Sequence, residues 1–208
     1  MAKQKYYAVR SVGGKKVCKI YYTWDECKNI IDGAPAPVYK SFTKESEALA
    51  YINDYEEEPN EYEVLSNPDN VIYYVDGSYM NDTIGWGWIK VKNKEVVDKD
   101  CGAIKPSENT SRNITGELKA ALSAVKNAIM TGEDSIYIVN DYQGISSFAN
   151  GSWKPNSEHS KAYARKMKQA MSLMDIKFIK VKGHTGNKFN EMVDEVAKEG
   201  TTTVQQDD

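Results

Sequence analysis

The chain has 208 residues and carries 27 Lys and Arg against 30 Asp and Glu, for a net charge of −3. That length accommodates one medium-sized domain or two small ones. Three cysteines without a CxxC spacing indicate neither a disulfide framework nor a zinc site. No long apolar stretch could span a bilayer, so we expect a soluble, cytoplasmic protein with no membrane partner.

The charges are distributed unevenly along the chain. Residues 1–54 carry nine bases against six acids, residues 55–70 carry six acids and no base, and the 18 bases and 18 acids that follow cancel. The acidic segment contains Pro59 and shows no apolar periodicity. We therefore predict a domain over residues 1–54, an acidic linker over 55–70 and a second domain over 71–208. Because nucleic-acid binding depends on local patches, the overall negative charge does not exclude it.

The first domain is predicted to be a small α+β unit. A helix is expected after Thr23, because Glu26 three residues later completes a capping-box pattern. A second helix is expected after Thr43. The predicted elements are strands over 6–10, 17–22 and 38–42 and a second helix over 45–53.

The second domain is predicted to be a mixed α/β layer, since strand patterns alternate with helical ones. Leu118, Leu122, Val125 and Ile129 follow one another at helical spacing and predict one apolar helix face. The predicted strands cover about 71–77, 84–92, 95–103, 135–140 and 176–181, and the helices about 115–130, 142–149, 158–174 and 190–199.

Four carboxylates stand in distinctive places in this pattern. Asp76 and Asp141 each end an apolar strand, Glu117 lies early in a helix beside its apolar face, and Asp194 is on the last helix. Taken singly, each is better explained as a helix cap or a solvated charge. Taken together, four converging carboxylates repel one another and require hard cations such as Mg²⁺. Paired Mg²⁺ ions suit in-line displacement at phosphorus.

The order of these motifs resembles ribonuclease H of the bacterial type over residues 71–200. The matching motifs are Asp76-Gly77-Ser78, Gly116-Glu117-Leu118, Asn140-Asp141 with Gln143, Lys182-Gly183-His184-Thr185-Gly186, and Asn190-Glu191 with Asp194. The resemblance implies a five-stranded mixed sheet with flanking helices. It also implies endonucleolytic hydrolysis of the RNA strand of RNA–DNA hybrids, leaving 5′-phosphate and 3′-hydroxyl ends.

The same resemblance implies a role for each site residue. Asp76 would bridge two Mg²⁺ ions, for which Mn²⁺ can substitute. Glu117 and Asp141 would hold the ion near the leaving group, and Asp141 with Asp194 the ion that activates water. His184 would assist proton movement or product release, although on position alone it is a surface histidine.

Substrate contacts are also implied by the resemblance. An enzyme that selects RNA needs polar groups around the 2′-hydroxyl. The candidates, besides Glu117, are Gly77, Ser78, Asn113, Gln143 and Asn190.

The first domain resembles the amino-terminal hybrid-binding domain of ribonucleases H, which is also found in viroplasmin proteins. The matching segments are Tyr7–Arg10, Thr23–Cys27 and Tyr39–Phe42, followed by Glu47-Ala48. An exposed aromatic ring can stack on sugars and bases while a neighbouring cation meets phosphate. The resemblance implies a hybrid-facing side that contains Tyr7, Trp24, Tyr39 and Lys40. Trp24 could instead be a core residue, and Phe42 is expected in the core.

Two other functions fit parts of the sequence. One is a DNA nuclease of the integrase or resolvase kind, which the Gly-His-Thr-Gly motif and the hybrid-binding segment disfavour. The other is a protein that binds hybrid or double-stranded RNA without cleaving it, which the intact carboxylate set disfavours. Lys161, Arg165 and Lys168 share one helix face that is either a nucleic-acid contact or an ordinary solvated stripe. No protein partner is evident.

Overall fold

The computed structural model describes residues 4–13, 15–34, 37–53, 60–106, 112–183 and 186–203. The chain divides into two compact units, Met1–Glu58 and Pro59–Asp208. Among the described residues, no helix combines the length and the apolar character needed to cross a membrane.

The first unit is a three-stranded antiparallel sheet with one helix on each face. Its elements are β1 (Tyr6–Val12), β2 (Lys15–Tyr21), α1 (Trp24–Ile31), β3 (Val38–Phe42) and α2 (Glu45–Asn53), with the strands in the order β2-β1-β3. Successive β1 residues point to opposite faces. Ala8 therefore packs with α2 and Val9 with α1. The predicted capping box is present, since Thr23 accepts from the Glu26 N–H and the Glu26 side chain from the Thr23 N–H.

The second unit is built on a five-stranded mixed sheet. Its elements are α3 (Glu61–Ser66), β4 (Ile72–Met80), β5 (Thr83–Lys92), β6 (Glu95–Ile104), α4 (Arg112–Met130), β7 (Ser135–Asn140), α5 (Gly144–Ala149), α6 (Glu158–Ala170), β8 (Asp175–Lys180) and α7 (Lys188–Thr202). The strand order is β6-β5-β4-β7-β8. Strands β4 to β6 form an antiparallel meander, whereas β7 and β8 run parallel to β4. This arrangement confirms the predicted fold class.

Hydrophobic cores lie on both faces of this sheet. Tyr73, Val75 and Trp88 face α4, α5 and α6. On the other face, Tyr74 and Ile89 pack with α3 and α7. Asp76 is level with the end of both cores, because it continues β4 directly after Val75.

The structure corrects two sequence predictions in this unit. Strand β4 continues past residue 77 to Met80, because Asn81 and Asp82 adopt the positive φ values of a tight hairpin turn. The apolar face of α4 is also rotated from the predicted one. Leu118 and Val125 are buried as expected, but Ile129 is 44% exposed. Alanines line the buried face instead and allow the helix to approach the sheet closely; they are Ala120, Ala121, Ala124 and Ala128.

The predicted acidic linker contains helix α3, which belongs to the second unit and packs on its sheet. Residues 54–59 lie outside the described residues, but α3 follows directly and buries Val64. The Glu61 carboxylate accepts hydrogen bonds from the Tyr74 hydroxyl and from Asn187 Nδ2, the latter at 2.6 and 2.8 Å. Asn187 is the N-cap of α7. An acid of the charged segment thus fixes the start of the last helix, which the lack of apolar periodicity did not indicate.

Replacing Glu61 by Ala should destabilise the second unit by about 1–3 kcal/mol, because the buried Tyr74 hydroxyl would lose its acceptor. Glu61→Gln keeps an acceptor oxygen and should lose less. Urea unfolding monitored by circular dichroism measures both. Equal stability of Glu61→Ala and the wild type would contradict an anchoring role for this contact.

Candidate active site

Two of the four carboxylates are brought together by the pairing of parallel strands. Tyr74 of β4 is level with Val139 of β7. Continuing that register by two residues places Asp76 beside Asp141, which directly follows β7. Neighbouring strands are about 4.8 Å apart, so the two carboxylates meet at the carboxyl end of β7. Open α/β sheets bind ligands at this kind of edge.

Glu117 reaches the same place from helix α4. Gly116 precedes it, and a Cβ at that position would lie 2.6 Å from the Gly85 carbonyl oxygen and 2.9 Å from the Gly77 Cα. Only glycine therefore allows the first turns of α4 to touch both strands. This contact carries the Glu117 carboxylate over the end of the sheet, where it is buried.

Asp76, Glu117 and Asp141 each offer an oxygen within 4.8 Å of the others. Burial raises the pKa of Asp76 to about 6, and the charges of Asp141 and Asp194 add to the rise. Hydrogen bonds from Glu117 and from the Gly77 N–H, at 2.7 Å, oppose it. Burial and the charge of Asp76 raise the pKa of Glu117 well above its usual value. Without a cation, these groups compete for ionisation at one site.

The donor set fits a hard divalent cation. Glu117 Oε2 is buried and, among the described residues, lacks a hydrogen-bond partner. A buried carboxylate oxygen without a partner is costly. Three carboxylates whose oxygens lie this close together match the ligands that Mg²⁺ and Mn²⁺ take in proteins.

Asp194 lies near this cluster but does not join the group within 4.8 Å. Its charge contributes to the raised pKa of Asp76. Its Oδ2 is 2.7 Å from Lys198 Nζ, one helical turn further along α7. Hydrogen bonds to Asp194 and Glu195 raise the pKa of Lys198. The charge of Asp194, the fourth predicted carboxylate, is thus paired with a lysine of its own helix.

The remaining predicted site residues are only partly brought together. Gly77 and Ser78 continue β4 beyond Asp76. Asn190 is buried one turn before Asp194. Gln143 donates to the hydroxyls of Ser146 and Ser147 at 3.0 and 3.3 Å. These bonds hold its amide against the first turn of α5, where Gln143 makes no side-chain capping bond to the backbone.

His184 and the Asn113 side chain lie outside the described residues. The segment that leads to His184 starts against the cluster, however. A Cβ at Gly183 would stand 2.4 Å from Asp141 Oδ2, so any larger residue there would displace the Asp141 carboxylate.

An aromatic surface borders the cluster on the α5 side. Trp153 makes edge contacts with the rings of Tyr142 and Phe148, at centroid distances of 6.4 and 5.8 Å, and is 43% exposed. These side chains line a groove of about 530 Å³ that also includes Lys154. Of the predicted basic stripe, Lys161 pairs with Glu158 at 2.9 Å, whereas Arg165 and Lys168 line a second groove beside Trp153. The sequence interpretation missed the Trp153 surface, although an isolated tryptophan followed by lysine in a short loop was a usable signal.

The first unit presents an exposed aromatic cluster. Trp24 lies between Tyr7 and Tyr39, with ring centroids 5.5 and 6.2 Å away. Trp24 is 42% exposed, so the alternative prediction that it is a core residue is wrong. Phe42 packs with the Ala8 core as expected.

Lys40 is not brought together with this aromatic cluster. It pairs with Ala8 across β1 and β3, whereas Tyr39 pairs with Val9. Because strand side chains alternate, Lys40 leaves the sheet on the opposite face from Tyr39. Its Nζ lies 5.5 Å from the Phe42 ring. Lys19 pairs with Val9 from β2 and leaves on the same face as Tyr39.

Comparison with known proteins gives matches for both units. The RNase H family model matches residues 68–202, and a model described as the ribonuclease H1 N-terminal domain matches residues 5–52. A ribonuclease H of Caldicellulosiruptor saccharolyticus is 26% identical over 138 residues, which is 62% of this chain and 93% of that protein. A ribonuclease H of Clostridium botulinum is 28% identical over 140 residues, with the same shares covered.

Solved structures show the same fold. RNase H1 from the archaeon Halobacterium salinarum superposes with a TM-score of 0.54 at 22% identity, covering 63% of this chain and 96% of that one. LC11-RNase H1, solved in complex with an RNA/DNA hybrid, superposes with a TM-score of 0.51 at 16% identity, covering 62% and 98%.

Proposed function

Because this chain belongs to the ribonuclease H family, we propose that it cleaves the RNA strand of RNA–DNA hybrids endonucleolytically, leaving 5′-phosphate and 3′-hydroxyl ends. The observation that carries the proposal is the cluster of Asp76, Asp141 and the buried Glu117, whose Oε2 lacks a hydrogen-bond partner among the described residues. A protein that only binds hybrid has no use for carboxylates that repel one another.

Asp76, Glu117 and Asp141 would hold Mg²⁺, and Asp194 would complete a second position after leaving Lys198. Mn²⁺ suits the same oxygen ligands. Bound there, a pair of ions supplies a water of lowered pKa and stabilises the charge that develops on the leaving 3′-oxygen. The protein supplies the rigid sheet edge that sets the carboxylate positions. The Gly77 N–H keeps Asp76 Oδ1 in place.

Selection of the RNA strand needs polar groups at the 2′-hydroxyl, which is what distinguishes RNA from DNA. Gly77 and Ser78 follow Asp76 on β4 and are suited to this contact, together with Asn113 and Glu117. Gln143 and Asn190 would contact the adjacent nucleotides. The bonds from Gln143 to Ser146 and Ser147 hold its side chain in one orientation.

The first unit would bind the hybrid through its aromatic cluster. Trp24 and Tyr39 are exposed, and with the half-buried Tyr7 they form a continuous aromatic surface that can stack on bases and sugars. Lys40 lies on the other face of the edge strand β3, so it would contact phosphate only from the edge of the sheet. We propose residues 1–54 as this binding domain and residues 71–208 as the catalytic domain, with α3 of the intervening acidic segment attached to the catalytic part.

The direct test is incubation of the full chain with labelled RNA–DNA hybrid, duplex DNA and duplex RNA, each with and without Mg²⁺. We expect internal cleavage of the RNA strand of the hybrid only, and only with the ion. Cleavage of duplex DNA would favour the integrase or resolvase alternative. Binding of hybrid without cleavage under any ion condition would favour a non-catalytic protein.

A second prediction concerns His184. If this side chain assists proton movement or product release, His184→Ala should slow turnover by about 10–100-fold, at or below the range of general acid–base groups. Hybrid affinity should change little. His159, an exposed histidine at the start of α6, provides the matched control His159→Ala. Turnover of His184→Ala equal to that of the control would make His184 a surface residue.

A further inference from the structure

A third groove on the catalytic unit, separate from the two beside Trp153, is not used by the proposed reaction. It lies between α4, α6 and the outer strands β5 and β6, and has a volume of about 500 Å³. We call it the α4–α6 groove. Its floor is apolar and includes the exposed part of the α4 face whose position the sequence predicted incorrectly. The apolar lining residues are Trp86, Leu122, Val125, Ile129, Met130 and Ala170.

Three lysines line the groove, with Asp100 as the acid beside them. Lys119 and Lys126 come from α4 and Lys166 from α6. Among the described residues, seven lysines outside the groove form ion pairs with carboxylates. None of the three groove lysines does so with a described carboxylate. Burial and the charges of Lys166 and Lys126 lower the pKa of Lys119. Positive charge is therefore concentrated here, and Asp100 offsets only part of it.

The groove faces away from the carboxylate cluster. Lys119 follows Glu117 by two residues, which is about 200° around the helix. Lys126 lies seven residues after Lys119 and shares its face. A hybrid held over Asp76 and Glu117 would therefore leave the α4–α6 groove accessible.

The chemistry of the lining favours a peptide over a nucleic acid. A phosphate backbone would pair with the lysines but would gain nothing from the leucine, isoleucine and methionine side chains of the floor. The ring of Trp86 is also unavailable for base stacking, because Lys119 Nζ lies over it at 5.5 Å. Met130, which is 75% exposed, and Ile129 together offer the kind of adaptable apolar contact that protein interfaces use.

We propose that the α4–α6 groove docks an acidic, amphipathic peptide segment of a partner protein. Carboxylates of the peptide pair with the three lysines, and its apolar side chains pack on the floor formed by α4. Because the groove lies on the far side of α4 from Glu117, docking would recruit the nuclease without blocking its cleft. This inference does not depend on which nucleic acid the catalytic site cleaves.

The test uses a short fluorescein-labelled peptide in which aspartates flank phenylalanine and leucine, titrated with the full chain and followed by fluorescence anisotropy. We expect saturable binding. Lys126→Glu combined with Lys166→Glu should weaken it at least about tenfold, since each reversed surface pair is worth up to about 1 kcal/mol. The matched control is Lys94→Glu with Lys180→Glu, which makes the same charge change at exposed lysines outside the groove.

Three results would overturn the proposal. The first is the absence of saturable binding by the peptide. The second is an equal loss in the groove variant and the control, which would indicate general electrostatics. The third is a loss of hybrid affinity in the groove variant that the control does not share, which would make the groove a nucleic-acid surface. By contrast, loss of binding by a peptide with asparagine in place of aspartate would support the pairing with lysine.

Discussion

Asp76→Asn should reduce RNA cleavage by on the order of 10³-fold or more, because a residue that contacts both proposed metal positions would lose its charge. Hybrid binding should persist or tighten, since the variant repels phosphate less. Asp69→Asn removes the same charge from an exposed position and should cleave at the wild-type rate. Substantial cleavage by Asp76→Asn at saturating Mg²⁺ would contradict the assignment of Asp76 as a metal ligand.

The same substitution should stabilise the protein in the absence of divalent ions. The folded protein raises the pKa of Asp76 from 3.8 to about 6. Since the folded state then binds more protons than the unfolded state, stability falls as the pH rises from about 4 to about 6. At pH 7 the penalty is fully present. Asp76→Asn should therefore be more stable than the wild type by about 1–3 kcal/mol in EDTA.

The wild type and Asp76→Asn should respond differently to pH and to metal. Below about pH 4 the stability advantage of Asp76→Asn should disappear, because Asp76 is then protonated in both states of the wild type. Mg²⁺ should raise the melting temperature of the wild type more than that of Asp76→Asn. Thermal unfolding by calorimetry measures both effects without any substrate. Equal stabilisation by Mg²⁺ would place the ion elsewhere.

The sequence predicted the catalytic fold and three of the converging carboxylates because these depend on local patterns. Asp76 and Asp141 are each attached to a strand of clear apolar character, and Glu117 to a helix with a regular apolar stripe. Once the strands pair in parallel, their positions follow. What local pattern does not determine is the rotation of that helix on the sheet.

Three features differ from the sequence predictions, and the first two depend on contacts between distant segments. The alanines of α4 decide its rotation only by packing against the sheet. Glu61 contacts Asn187, which is 126 positions away, so its role is hidden in a run of like charges. Lys40 faces away from Tyr39 because consecutive residues of β3 point to opposite faces of the sheet. Strand alternation alone could have indicated this last point.

The packing of α3 in the second unit determines where the two units should be separated. Removing residues 60–70 together with the first unit would delete α3 and the acceptor of the buried Tyr74 hydroxyl. The cut therefore belongs after Glu58, where the first compact unit ends. Residues 59–208 carry 18 bases and 21 acids, net −3, so the catalytic unit alone offers little net attraction for phosphate.

Removal of residues 1–58 should raise the Michaelis constant for hybrid by on the order of 10–100-fold, because the first unit increases the local concentration of substrate at the cleft. Maximal turnover on short hybrids should be largely retained. The salt dependence of binding should also become less steep, since fewer phosphate contacts remain. Steady-state kinetics at several salt concentrations measure all three quantities.

Point substitutions in the full chain separate the aromatic cluster from other effects of truncation. Trp24→Ala with Tyr39→Ala should reproduce most of the affinity loss, because stacking is worth about 1–3 kcal/mol per base. Lys40→Ala should lose less, because its side chain lies on the other face of β3. Leu49→Ala on α2 removes a comparably exposed apolar side chain and should bind normally. If the isolated catalytic unit binds hybrid as tightly as the full chain at the same salt, the first unit does not grip the substrate, and the acidic catalytic unit must do so through its own cations beside Trp153.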